Sequence, residues 1–209
     1  MIKKVAIIDY GINNISSVEK AFKKIRVETE RVTSKDELKK FKHLVLTGVG
    51  SFDWGIKNLK SQGLFDEITH LSKKGHFIMG ICLGMQLLFE KSEESNENLK
   101  GLSLLSGSTK KLFKTKNQKN IKIPHVGWND IKIKNNNNLL TDINNNSNFY
   151  FVHSYFVEPE NEEIISATCK HGIEFPAVIE SENIIGIQFH PEKCQVNGLK
   201  ILENFSNFE

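Results

Sequence analysis

The chain has 209 residues, of which 39% are hydrophobic and 25% are charged, and its formal net charge is +3. These values are typical of one soluble globular domain, here residues 1–209, and the scattered lysines do not favour nucleic acid binding. No apolar run reaches the ~20 residues of a membrane helix, and the N-terminal run is too short for a signal peptide. The three cysteines cannot all pair, so we expect free thiols and a cytoplasmic protein.

The first half of the chain alternates strands with helical segments. Its strands are predicted at Val5–Ile8, Glu28–Val32, His43–Leu46 and His76–Ile81. Helical spacing predicts the elements between them, including a brief helix capped by Ser34 and a later one that runs from Met85 to Phe89. Apolar strands joined by helices are typical of a parallel sheet that is covered on both faces.

The second half is mostly strand-like, with short turns. Its strands are predicted at Leu102–Phe113, Ile121–Ile123, Trp128–Ile133, Phe149–Val157, Ile164–Thr168, Phe175–Ile179 and Ile184–Phe189. A closing helix is predicted at Leu199–Phe205, and the Asn-biased stretches 135–138 and 144–148 are interpreted as a surface loop. We therefore expect an α/β fold with an open mixed, mostly parallel sheet and helices on both faces.

Gly80-Ile81-Cys82-Leu83-Gly84, at the end of an apolar run, has the pattern of a nucleophile elbow with sulfur in place of oxygen. The flanking glycines allow a sharp turn from strand to helix. The N-terminus of the following helix favours thiolate over thiol. The alternative is a buried structural cysteine, since free Cys is among the most buried residue types.

His190 and Glu192, separated by Pro191, supply an imidazole and a carboxylate that suit such a nucleophile. The proline fixes the backbone between them, and the carboxylate can orient the imidazole and stabilise its charged form. A lone histidine after a strand is more often structural. Beside the elbow of Cys82, however, the pair predicts acyl transfer through a thioester. The spacing of Cys and His resembles no metal site, so we expect no metal and no cofactor.

Gly48-Val49-Gly50 follows a third apolar strand. Alone it is an ordinary glycine-rich turn. A thioester mechanism, however, needs two backbone N–H groups aimed at the developing oxyanion. We expect Leu83, the residue after the nucleophile, to provide one, and Val49 or Gly50 to provide the other.

Several longer motifs carry a family resemblance. The elbow extended by Gln86, together with His190-Pro191-Glu192, resembles the class I (triad) glutamine amidotransferases. Further motifs resemble one branch of them, the glutaminase subunits of imidazole glycerol phosphate synthases. These motifs are Asp9-Tyr10-Gly11 with Asn14 and Ser17, Gly48-Val49-Gly50 with Phe52, Pro124-His125-Val126-Gly127-Trp128-Asn129, and Tyr150-Phe151-Val152-His153-Ser154-Tyr155. The resemblance covers nearly the whole chain.

The resemblance implies that the chain hydrolyses glutamine and delivers ammonia to a separate cyclase subunit, a (β/α)8 barrel, as a heterodimer in histidine biosynthesis. It implies a catalytic triad of Cys82, His190 and Glu192. It also implies substrate contacts at Gly50, Gln86, Glu94, His153, Ser154 and Tyr155, and a partner interface with Asn13, Asn14, Trp128, Tyr150 and Lys193.

Three positions depart from the family pattern. The family usually has Pro where this chain has Thr47, Gly where it has Asn13, and Ser where it has Cys194. The first concerns the oxyanion loop, and the other two concern regions that face the partner. A paralogous subunit that supplies ammonia to a sugar-amidating synthase is therefore the main alternative. A peptidase-like cysteine hydrolase and an inactive interaction subunit are further alternatives.

Overall fold

The structure, a computed structural model, describes residues 4–11, 14–113, 121–135 and 137–209. Its strands are β1 Lys4–Ile8, β2 Glu28–Val32, β3 His43–Gly48, β4 Phe77–Cys82, β5 Phe89–Ser92, β6 Leu105–Lys111, β7 His125–Ile133, β8 Asn148–His153, β9 Tyr155–Pro159, β10 Ile165–His171, β11 Ile173–Ser181 and β12 Ile184–Ile187. Its α-helices are α1 Ile15–Lys24, α2 Lys35–Leu38, α3 Phe52–Ser61, α4 Leu64–Lys73, α5 Leu83–Leu87 and α6 Gln195–Ser206.

Within these residues, nine strands form one sheet in the order β2-β1-β3-β4-β12-β11-β10-β7-β8. The pairs from β2 to β12 are parallel, and those from β12 to β8 are antiparallel. All of these strands except β11 and β7 therefore run in the same direction. The predicted open, mixed and mostly parallel sheet is confirmed. A second sheet, β5-β6-β9, was not predicted.

Helices cover both faces of the large sheet, as the apolar strands predict. Val5 and Ile7 of β1 pack in one core cluster with apolar residues of α1 and α6. Ala6 and Ile8 of the same strand pack in a second cluster with residues of α3 and α4. Successive side chains of a strand point to opposite faces, so a strand with a core on each side must be apolar throughout.

Apart from bounds that shift by a few residues, three predicted elements differ from the structure. The helix expected from Met85 to Phe89 is wrong at its end, because Phe89 begins β5 and pairs with Leu105 of the small sheet. Ile121–Ile123 forms no strand, and the Pro124 that follows it has no N–H to offer to a ladder. Phe149–Val157 is divided at Ser154, because β8 pairs with β7 in the large sheet while β9 pairs with β6 in the small one.

The brief helix predicted after Ser34 is present as α2, but its cap differs from the expected one. The Ser34 side chain makes no capping hydrogen bond. Instead, Glu37 Oε2 accepts a hydrogen bond from Thr33 N at 3.3 Å. Among the helices that the structure describes, none is long and apolar enough to cross a membrane.

Candidate active site

Cys82 ends β4 and immediately precedes α5, as the elbow pattern predicts. Its backbone has φ 54° and ψ −109°, a strained conformation for a residue with a side chain. Position 84 must be glycine because the backbone of α5 passes close to β3 there, and a Cβ would lie 1.7 Å from Leu46 O. Strand, strained cysteine and short helix together make the nucleophile elbow.

His190 and Glu192 reach this elbow because β12 lies next to β4 in the sheet. The two strands are parallel, with Ile187 beside Ile81, so the residues that follow each strand meet at one edge. His190 Nδ1 lies 2.8 Å from Glu192 Oε1, and both side chains are buried. Since a carboxylate only accepts, His190 Nδ1 carries the proton of this bond.

Cys82 and Glu192 both affect the pKa of His190. Burial lowers the pKa of His190, but hydrogen bonding and charge interaction with Cys82 and Glu192 raise it to about 10. Burial raises the pKa of Glu192, yet its hydrogen bonds and the His190 charge bring it below the usual value. Among the described residues, the buried His190 Nε2 has no hydrogen-bond partner of normal length. Because Nδ1 is bound to Glu192, Nε2 is the ring nitrogen left to interact with Cys82.

Asn14 also contacts the pair formed by His190 and Glu192. Its Nδ2 donates to Glu192 Oε1 at 2.7 Å. The resemblance implies a position at the partner interface for Asn14, and its side chain is bound to the carboxylate of the predicted triad. Asn13, predicted for the same interface, lies outside the described residues.

Two further residues that the sequence analysis did not assign to the site interact with Cys82. Gln188 Nε2 points at Cys82 Sγ from 3.8 Å. Tyr10 is fully buried, and burial together with the charge of Cys82 raises its pKa far above the usual value. The sequence held a signal for Gln188, because a residue two positions before His190 in an extended chain lies on the same side. Tyr10 lies in a motif that carries the family resemblance, but that motif did not indicate an interaction with Cys82.

The predicted oxyanion loop lies beside the elbow. Gly48 pairs with Cys82 across the ladder of β3 and β4. Val49 and Gly50 therefore leave the sheet at the same edge as the nucleophile. Leu83 is the first residue of α5, where a helix N–H has no intrahelical acceptor. Thr47, the residue that departs from the family pattern, is buried, and its hydroxyl has no partner within the described part of the chain.

Hydrogen bonds and charge interactions join several of the predicted substrate residues to one another. Gln86 Nε2 donates to Tyr155 O at 3.0 Å and contacts Gln188 Oε1 at 3.4 Å. Glu94 lies near Tyr155, whose pKa is raised by burial and then by the charge of Glu94. The predicted roles of these residues toward glutamine stay predictions.

His153 is engaged with protein atoms on both sides of its ring. Its Nδ1 donates to Tyr155 O at 2.8 Å, and its Nε2 accepts from His125 Nδ1 at 3.0 Å. Burial lowers the pKa of both, to about 3 for His153 and about 4 for His125. Any substrate contact of 153–155 therefore falls to the backbone or to the side chains of Ser154 and Tyr155.

Trp128, Tyr150 and Lys193 form one surface, which we call the aromatic face. Trp128 is 53% exposed and faces Tyr150 across the β7–β8 ladder, with ring centroids 5.9 Å apart. Lys193 Nζ lies 4.9 Å from the centroid of the Tyr150 ring. The structure thus brings together three of the five residues predicted for the partner interface.

The aromatic face adjoins the predicted triad through hydrogen bonds. His190 N donates to Tyr150 O at 2.9 Å. Cys194 Sγ accepts from Tyr150 N at 3.1 Å and donates to His190 O at 2.9 Å. Burial raises the pKa of Cys194 to about 12, so it is a thiol and can donate. The cysteine that departs from the family pattern therefore links β8 to the backbone of His190.

Comparisons with known proteins agree with this geometry. A family model described as glutamine amidotransferase class-I matches residues 6–207. The imidazole glycerol phosphate synthase subunit HisH of Caldanaerobacter subterraneus subsp. tengcongensis is 44% identical over 201 residues, which cover 96% of each protein. The protein of the same name from Moorella thermoacetica is 39% identical over 203 residues, which cover 97% of this chain and 94% of that protein.

Solved structures support the fold alone, because their sequences are distant. PurLQS from Thermotoga maritima gives a TM-score of 0.73 at 19% identity and covers 99% of both chains. A glutamine amidotransferase from Thermotoga maritima gives 0.70 at 15% identity and covers 100% of both chains. From the family model and the close relatives, we conclude that this chain belongs to the class I glutamine amidotransferase family.

Proposed function

We propose that this chain is the glutaminase subunit of an imidazole glycerol phosphate synthase. It hydrolyses L-glutamine through a cysteinyl thioester and delivers the ammonia to a cyclase subunit in histidine biosynthesis. The observation that carries the proposal is the union of Cys82, His190 and Glu192 at one sheet edge, in a chain whose relatives named HisH match it over nearly their full length. No observation favours the sugar-amidating alternative.

In the proposed first step, the Cys82 thiolate attacks the side-chain carbonyl carbon of glutamine. The oxyanion that forms is stabilised by the N–H of Leu83 and an N–H of Val49 or Gly50. The protonated His190 gives its Nε2 proton to the departing nitrogen. The carbon–nitrogen bond breaks, and ammonia leaves a glutamyl thioester behind.

In the proposed second step, neutral His190 takes a proton from water as the water oxygen attacks the thioester. The carbon–sulfur bond breaks, glutamate leaves, and the thiolate–imidazolium pair is restored. Glu192 keeps the ring oriented and stabilises its positive charge in both steps, and Asn14 holds Glu192 in place.

The position of the aromatic face supports the inference that a partner subunit binds there and receives the ammonia. Ammonia that escapes to water is protonated and loses its nucleophilicity, so a direct route between subunits is physically favourable. Trp128 and Val126 are large apolar side chains that are more than half exposed, as expected of residues that a partner covers. Tyr150 of the same face accepts a hydrogen bond from the His190 backbone. We propose that the (β/α)8 cyclase subunit docks on this face to form a heterodimer.

The test is a glutaminase assay on the chain alone and on the complex. The complex is obtained by co-purification from the source organism, and the bound protein is identified by mass spectrometry. We expect a cyclase of the barrel fold, low glutamate release by the isolated chain, and an increase of about 5- to 150-fold in the complex with the cyclase substrate present. Recovery of a sugar-amidating synthase instead would overturn the assignment to histidine biosynthesis. Full activity of the isolated chain would overturn the coupling.

A further inference from the structure

The N-terminus of α3 is capped from a distant part of the chain. Phe52 N donates to Glu94 Oε2 at 2.7 Å. Ser51 occupies the N-cap position, but its side chain makes no capping hydrogen bond. A carboxylate at a helix N-terminus satisfies a free N–H and interacts favourably with the helix dipole. Glu94 therefore performs the function that a local N-cap side chain usually performs.

This cap lies at one end of the predicted oxyanion loop. The β3–β4 ladder holds the other end, where Gly48 pairs with Cys82. Between Gly48 and Phe52, Val49 and Gly50 are exposed, and Gly50 has φ 139°, which only glycine adopts readily. After the loop, Ser51 O accepts a hydrogen bond from Gly55 N at 3.1 Å within the helix, and the bond from Phe52 N to Glu94 is the first one that joins this end of the loop to another part of the chain.

The segment that carries Glu94 is itself fastened to α3. Asp53 Oδ2 accepts from the backbone N–H groups of Asn96 at 3.0 Å and Glu97 at 3.4 Å, and Asp53 Oδ1 accepts from Ser95 Oγ. Lys57 of α3 forms an ion pair with Glu97. These bonds fix Glu94 relative to the helix that it caps.

We propose that Glu94 is a positioning residue for the oxyanion loop, which it orients through the backbone N–H of Phe52, in addition to any contact it makes with the substrate. The inference rests on the proposed function, because it assumes that the loop stabilises an oxyanion. It assigns Glu94 an effect on kcat, whereas a residue that only binds the ammonium group of glutamine would affect KM.

Two substitutions separate the two roles. Glu94→Gln removes the charge but keeps an oxygen that can accept from Phe52 N, whereas Glu94→Ala removes both. We expect Glu94→Gln to raise KM for glutamine at nearly unchanged kcat. We expect Glu94→Ala to lower kcat as well, by about 2- to 30-fold, the range that loss of a helix N-cap produces in a local equilibrium.

A second substrate removes the ammonium contact altogether. With 4-carbamoylbutanoate, which is glutamine without its amino group, the complex with Glu94→Gln should match the wild type, and Glu94→Ala should still lose kcat. The matched control is Glu28→Gln, which removes the charge of an exposed carboxylate on β2 that is paired to Lys4 and takes no part in holding Glu94, and it should match the wild type on both amides. If Glu94→Ala does not fold, Glu94→Asp replaces it, because its shorter side chain does not reach Phe52 N.

A fluorescence measurement tests the loop without catalysis. The chain has two tryptophans, and the Trp54 ring lies against Gly50, where an added Cβ would be 3.7 Å from Trp54 Cε3. In a Trp128→Phe background, Glu94→Ala should change the emission and acrylamide quenching of Trp54, and Glu94→Gln should not.

The outcomes distinguish the inference from the function on which it rests. Wild-type kcat in Glu94→Ala with both amides, or equal kcat losses in Glu94→Ala and Glu94→Gln, would overturn the positioning role while glutamine hydrolysis by the wild type stands. A wild-type complex that hydrolyses neither amide would overturn the proposed function itself, and the positioning role with it.

Discussion

The two halves of the nine-stranded sheet are built differently. In the parallel half, β4 and β12 are buried along their whole length, and their ends carry Cys82 and lead to His190. In the antiparallel half, β7 alternates and leaves Val126 and Trp128 more than half exposed. A strand buried on both faces is held rigidly enough to support a strained nucleophile elbow, whereas a strand with one open face can present side chains to a partner. Under the proposed function, the parallel half carries the chemistry and the antiparallel half binds the partner.

The junction between the halves is β12, which is parallel to β4 and antiparallel to β11. His190 follows this strand, and its backbone N–H is bound to Tyr150 of the antiparallel half. A displacement of β8 by a docked partner would thus be transmitted to the backbone of His190 through this hydrogen bond and through the two that Cys194 makes with Tyr150 N and His190 O. Substitutions in the parallel half, at the junction and on the antiparallel half should therefore have different effects.

The largest effect is expected in the parallel half. Cys82→Ala should lower glutamate release by about four to six orders of magnitude, because it removes the proposed nucleophile. The control is Cys169→Ala in β10, a cysteine that is also buried but lies in the antiparallel half. It should lose some stability and keep its activity per folded molecule. Glutaminase activity retained in Cys82→Ala would end the assignment of chemistry to this half.

A smaller effect is expected at the junction. Glu192→Gln should lower kcat by about 10²–10⁴-fold, because the imidazole loses its orienting carboxylate. The bond and charge of Glu192 contribute to the raised pKa of His190, so their loss lowers that pKa. Because His190 must be protonated to release ammonia, the alkaline limb of the pH–rate profile should shift to lower pH.

The control for this profile is Glu180→Gln in β11. Burial raises the pKa of this carboxyl group too, but Glu180 lies outside the site. It should leave both limbs of the profile in place. If the alkaline limb stays in place in Glu192→Gln, His190 is not the acid that protonates the leaving nitrogen.

The smallest effect is expected on the antiparallel half. Trp128→Ala should weaken binding of the cyclase subunit by about 30-fold, as loss of an aromatic hot spot does, while the melting temperature stays near that of the wild type. Isothermal titration calorimetry measures the Kd. Val196→Ala is the matched control, because Val196 is an exposed apolar residue on α6 outside the aromatic face. Equal Kd values for the two variants would show that the partner docks elsewhere.

Much of the parallel half was predictable from local patterns. The apolar runs of β3 and β4 and the glycines around Cys82 are signals within a few residues, because each reflects burial or a backbone turn at that position. Phe89 and the break at Ser154 were not predictable, since each depends on which of two sheets a strand joins. Pairing partners lie far apart along the chain, so local patterns carry no information about them.

The sequence by itself determined the chemistry of this protein. A cysteine between glycines and a His-Pro-Glu motif are short patterns that can be recognised without a structure, and few folds carry them for another purpose. Only the tertiary structure decided that Asn14 holds Glu192, that Gln188 lies beside the sulfur, that Cys82 affects the pKa of the buried Tyr10, and that Glu94 caps α3. These contacts join residues from separate elements. They exist only after the sheet has brought those elements together, and short-range propensities cannot specify them.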